Sequence, residues 1–219
     1  MKKLLLITSI CATISFLNAV QGKSEPVPDP NQVYGNAGTN VDMYLKNFPA
    51  SLSGELMVFM VAGTSEIGES ITGYAGGNGQ PGDTLLPMVY FTSTTDKLDS
   101  ANGFATIKAI DGYINNITIT APGYWFEDLI FSVNLTPNQN NDLTVAAKDK
   151  SGGVDSYSGW ATDNGWVNGQ NDILVLSHAG TLMQSVTITS AVGIIDFGID
   201  QFKQTQISGL TPVPEPTAM

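Results

Sequence analysis

From Glu55 onward the chain is a succession of short apolar or alternating runs, each closed by turn-forming residues. Glu55-Leu-Met-Val-Phe-Met-Val61 is continuous and of strand length, the pattern of a strand buried in a sandwich. Leu85 to Thr92 returns as an apolar and aromatic strand, with Pro87 marking an edge or a strand start. Ala101-Asn-Gly103 is a turn, Phe104 to Ile110 alternates, and Asp111-Gly112 carries the chemistry of a two-residue hairpin. Ile114 to Ala121 alternates cleanly. Ile117 and Ile119 face one way, and Asn116, Thr118 and Thr120 the other. Leu129 to Leu135 and Leu143 to Ala147 are the next strands, separated by the polar turn Pro137 to Asp142. After a long loop come Ile173 to Leu176, Val186 to Ser190, Ile194 to Ile199 and Phe202 to Ile207. Val41-Asp-Met-Tyr-Leu45 fits either a strand or a short helical turn, and Gly73 to Asp83 reads as a glycine-rich loop.

No helical stripe survives beyond the first 22 residues. About ten strands with turn signals every 8–12 residues predict an all-β fold: an antiparallel β-sandwich, jelly-roll-like in topology. It is expected to span residues 31–210. Two stretches resemble one another: Ile117-Thr-Ile-Thr-Ala-Pro-Gly123 leading to Phe126, and Val186-Thr-Ile-Thr-Ser190 leading to Phe197. Sandwich hairpins share this chemistry, and a true repeat would need a further matched segment.

The front of the chain is of another kind. Lys2 and Lys3 precede an uncharged, mostly apolar run from Leu4 to Leu17, and small residues follow at Ala19 and Gly22. This is the layout of a signal peptide over residues 1–22, with cleavage between 19 and 22. Residues 23–30 form a polar linker with prolines. Cys11, the only cysteine, lies inside the leader, so the mature chain has no disulfide and must stand on its core. Its length, roughly 190 residues, suits one β domain. Apolar residues at 42% suffice for that core.

There is no arginine. Loss of Lys2 and Lys3 with the leader leaves 7 lysines against 20 acidic residues, a net charge of −13. Such a body repels phosphate backbones, which argues against nucleic acid as a partner.

The chain finishes with Thr211-Pro-Val-Pro-Glu-Pro-Thr-Ala-Met219, where three prolines enforce an extended course. Val213-Pro214-Glu215-Pro216 resembles the opening of the PEP-CTERM sorting signal of Gram-negative bacteria. In that family the motif precedes one membrane-spanning helix and a basic end. The resemblance covers the last seven residues and implies handling by an exosortase-type sorting protease. It also implies delivery to the cell surface or the exopolysaccharide matrix. It leads us to expect about 20 apolar residues and then basic ones beyond Met219 in the native gene. Membrane contact would come only through that helix. The segments 114–135 and 172–208 also look loosely like the body of other PEP-CTERM proteins, without bringing catalytic residues.

The most site-like stretch runs from Tyr157 to Asp172. Tyr157, Trp160, Asp163, Asn164, Trp166 and Asn168 set aromatic rings among carboxylate and amide groups. Rings stack on the C–H face of a pyranose while the polar groups take its hydroxyls, so this is a candidate sugar platform. A tryptophan pinning a long loop to the core explains the indoles equally well. Tyr124-Trp125-Phe126 is a second aromatic cluster, read as a core or loop anchor. Asp163, Asn171 and Asp172 offer the oxygen ligands calcium takes, the only cofactor the sequence suggests.

Catalysis finds less support. His178 is the lone histidine, beside Ser177, and no nucleophile-elbow motif accompanies it. Glu127 and Asp128 are adjacent and point to opposite faces of a strand, which separates them as a glycosidase pair. Three classes follow: a non-catalytic surface or matrix protein, a carbohydrate-binding module on the loop tryptophans, and a jelly-roll enzyme acting on polysaccharide.

Overall fold

The computed structural model describes residues 33–36, 40–45, 55–76, 86–101, 103–104, 106–110, 112–135, 143–158, 169–178, 180–190 and 199–214. These residues form strands and no helix. In chain order they are β1 Val33–Asn36, β2 Val41–Leu45, β3 Leu56–Met60, β4 Gly63–Ser65, β5 Ser70–Ala75 and β6 Met88–Thr92. Next come β7 Leu98–Ser100, β8 Gly103–Phe104, β9 Thr106–Ala109, β10 Asn116–Thr120, β11 Tyr124–Trp125 and β12 Asp128–Leu135. The last are β13 Leu143–Asp149, β14 Val154–Ser158, β15 Gly169–Ser177, β16 Met183–Ser190, β17 Ile199–Ser208 and β18 Thr211–Pro212.

One antiparallel path runs β1-β2-β15-β12-β17-β3-β5-β6-β10-β16-β13-β14. β3 is the corner between its two halves. Leu56 and Met57 pair with Ile207 and Gln206 of β17, while Val58 to Met60 pair with β5. From β10 the chain alternates between halves. β12 lies in the first, β13 and β14 in the second, β15 in the first, β16 in the second and β17 in the first. Successive strands that cross over in this way give the sandwich its jelly-roll character. β4, β7 and β9 extend from β17 as a short flap.

Alternation in the sequence becomes alternation in burial. Ile117 and Ile119 of β10 are fully buried, opposite Ile188 and Val186 of β16. Val58, Ile71, Phe91 and Val145 come from the same half. Leu129, Phe131, Val133, Ile173, Val175 and Ile207 meet them from the other in one cluster. Each such side chain contributes about 1.5–3 kcal/mol on burial, so a disulfide-free chain can hold together. β12 is buried on both faces, because Ile130 packs with Leu174 and Leu176 on the side away from that cluster.

Val41 to Leu45 is a strand, paired with β1 and β15. Pro87 does precede a strand start, and its carbonyl accepts from the Ala75 N–H at 2.9 Å. Two expectations need correction. Asp111-Gly112 does not close a hairpin. β9 pairs with β7 and β17, and β10 with β6 and β16, so the two strands that flank it belong to different halves. A two-residue turn requires its flanking strands to lie side by side, and these do not. Gly73 is not loop but the interior of β5. The proline tail, extended as read, is paired at its start. β18 pairs with β11, and the Val213 N–H donates to the Gly123 carbonyl at 2.9 Å. Val213 lies between two prolines yet keeps its own donor. The expected strand at Ile194 to Ile199 lies outside the described residues except for Ile199, the first residue of β17. So do residues 77–83 of the glycine-rich loop.

Candidate functional site

Trp160, Asp163, Asn164, Trp166 and Asn168 lie outside the described residues. Tyr157 sits on the inward side of β14, half-buried, and packs against the main core opposite Val145. Its ring therefore gives much of its area to the fold. Asn171 and Asp172 are in β15, in the other half of the sandwich. Asn171 pairs in register with Val133, and Asp172 with Ser132, whose hydroxyl donates to the Asp172 carboxylate. Tyr157 and Asp172 thus lie on different strands that do not pair with one another. Among the described residues no group of three or more His, Cys, Asp or Glu could hold a metal ion. Val213 and Pro214 of the tail are exposed, while Glu215 and Pro216 lie outside the described residues.

Trp125 is half-buried on β11, where its backbone pairs with Thr211. His178 Nε2 lies 3.1 Å from Asp42 Oδ2, an ion pair when the imidazole is protonated. The His178 N–H donates to the Asn40 carbonyl at 2.9 Å, and Ser177 beside it is buried. Asp128 is buried and accepts from the Ser208 hydroxyl at 2.6 Å, whereas Glu127 is only half-buried. The two carboxylates serve different surroundings.

Two aspartate nodes escaped the sequence reading. Asp96 is 3% exposed. Its carboxylate accepts from the Asn115 N–H and Nδ2, both at 2.8 Å, the Thr95 hydroxyl at 2.6 Å and the Ser93 hydroxyl at 3.0 Å. Ser93-Thr-Thr-Asp96 was the only signal, since hydroxyl and carboxylate residues in a row favour local turns. The second node joins the ends of the sheet path. Asp155 Oδ2 accepts from the backbone N–H of Asn40 at 2.9 Å and of Val41 at 3.1 Å. Asp149 Oδ2 accepts from Asn40 Nδ2 at 3.3 Å. Two carboxylates on β13 and β14 so hold the start of β2, and the sheet nearly closes on itself.

Asp149 is held below the usual carboxylate range. The Ser151 hydroxyl is the main cause, with the Ser151, Gly153 and Gly152 N–H groups adding to it against the opposing effect of burial. These contacts suit a structural latch: each donor is spent on the carboxylate, and nothing in the set activates a nucleophile.

The outer side of the second half carries rows of hydroxyl side chains. Register aligns Ser70, Thr92, Thr118 and Thr187 in one row across β5, β6, β10 and β16. Thr72, Tyr90, Thr120 and Ser185 form the next. Ser70 Oγ and Thr92 Oγ1 are 2.6 Å apart, and Thr118 Oγ1 and Thr187 Oγ1 2.9 Å apart. No family model, curated protein or solved structure matches this chain.

Proposed function

We propose that this is an exported, non-catalytic protein of the cell surface or exopolysaccharide matrix, handed on by an exosortase-type protease. Val213-Pro214-Glu215-Pro216 carries the reading. Its first two residues are exposed just beyond β18, which suits access by a processing enzyme. The leader-like N-terminus supports the same route.

The test has two parts. Protein recovered from the periplasm or medium of a Gram-negative host should have an intact mass starting near Val20 or Lys23. A product still carrying Met1 defeats export. Reading the gene downstream of codon 219 should show an apolar stretch of about 20 residues followed by basic ones. A stop codon there removes the sorting half and leaves a simply secreted protein.

A further inference from the structure

We infer that the outer face formed by β3, β5, β6, β10 and β16 binds an uncharged polysaccharide chain. This deepens the matrix reading by naming a partner class, and it rests on that reading for its biological setting alone.

The face has two parts that meet. At one end Phe59, Tyr74 and Met88 stand in register on β3, β5 and β6, on the side away from the buried Val58, Ala75 and Val89. Tyr90 is the next outward residue on β6, opposite Thr72, so the two tyrosines are diagonal neighbours. Met88 is 38% exposed although it is apolar. At the other end the rows continue into Thr118, Thr120 and Thr187 on β10 and β16. From β3 to β16 the face spans four inter-strand gaps, about 19 Å. That length accommodates several sugars of an extended chain.

Charge narrows the occupant. None of the outward residues on β5, β6, β10 and β16 is ionisable at neutral pH, in a chain of net charge −11. The first charge along the rows is Lys148, opposite Ser185 on β13. An anionic polymer meets no cation within the face, only Lys148 at its margin, and is repelled by the molecule as a whole. A basic partner finds no carboxylate to pair with. An apolar partner would bury hydroxyls without replacing their hydrogen bonds to water. A neutral glycan satisfies both parts, stacking C–H faces on the rings and exchanging hydrogen bonds with the threonines. The Thr118–Thr187 pair shares one hydrogen bond and keeps one donor and three lone pairs for a ligand. Its geometry is fixed by the strands beforehand, which lowers the cost of ordering on binding.

Affinity electrophoresis of the purified full chain tests this, in gels holding hydroxyethyl cellulose, dextran or galactomannan as uncharged probes and alginate as the anionic one. At least one uncharged gel should retard the protein, and alginate should not. Tyr90→Ala should weaken the retardation roughly fivefold to tenfold. The double variant Thr118→Val, Thr187→Val keeps strand propensity and shape, and it decides the matter should Tyr90→Ala fail to fold. It should also weaken binding, with an unchanged circular dichroism spectrum.

Four binding results would overturn the inference: no retardation by any uncharged probe, retardation by alginate alone, full binding by the double variant, or loss with Trp160→Ala alone, which would move the site to the loop. Sedimentation showing a dimer that Thr187→Lys dissociates would assign the face to a second copy instead. Binding by a protein that is not exported would sink only the surface reading.

Discussion

A methyl group at Gly73 would stand 2.6 Å from Val58 Cγ1 and 3.0 Å from Met60 Sδ. The neighbours belong to β3, paired with β5, so the crowding cannot be relieved by moving one side chain into solvent. Gly73→Ala is therefore expected to cost roughly 1–3 kcal/mol by overpacking. Gly63→Ala, where nothing lies within 4 Å, supplies the control. Urea denaturation of the pair checks this, and equal midpoints would refute it. Gly73 read as loop because glycine weakens a strand when considered alone. What it accommodates lies on another strand and is invisible locally. Asp96 was hidden for the same reason: Asn115 is 19 residues away in the chain. Hydrogen bonds to a charged group each contribute about 1.5–3 kcal/mol, yet only the hydroxyls beside it in sequence hinted at them.

Elements were easier to read than residues where period two was strict. β10 and β16 looked alike in sequence, and the fold lays them side by side with Thr118 opposite Thr187. Asp111-Gly112 misled because turn chemistry specifies a bend and not which strand lies beyond it. The latch at the start of β2 had no sequence signature, since Asp155 reaches backbone N–H groups rather than a matching side chain.

Its pH behaviour follows from Asp149. The folded carboxyl is more acidic than in the unfolded chain, so its stabilisation is complete above the ordinary value near 3.9. It is lost as pH falls through the lower folded value. Asp149→Asn should be less stable than the parent at neutral pH, and the gap should narrow only below about pH 4. Thermal midpoints across that range measure it, and a gap independent of pH would contradict the assignment.

At the scale of the molecule, fold class was legible and neighbourhood was not. Alternating runs declare strands with one buried face, but nothing in β12 announces β15 and β17 as its partners. The outer face needs those pairings even to exist, since Tyr74, Tyr90, Thr118 and Thr187 come from four strands. Of the residues read as a sugar platform the structure describes Tyr157, and of those read as calcium ligands Asn171 and Asp172. Strands that cross between halves also make most pairings non-local. Refolding should accordingly take milliseconds to seconds, as loop closure precedes any reward. Stopped-flow tryptophan fluorescence would show it, and a microsecond phase with full amplitude would speak against the topology.

The pairing of β18 with β11 also has a mechanical side. Tension on the chain beyond Pro214 first meets two short paired strands and then Gly209, which links them to β17 with φ 62°. β17 is ten residues long and is flanked by β12 on one edge and by β3 and β9 on the other. A pull along that strand loads its hydrogen bonds together, in shear, instead of unzipping them singly. The two-residue clip at β11 would yield first and release a little chain, while the body behind it carried the force intact.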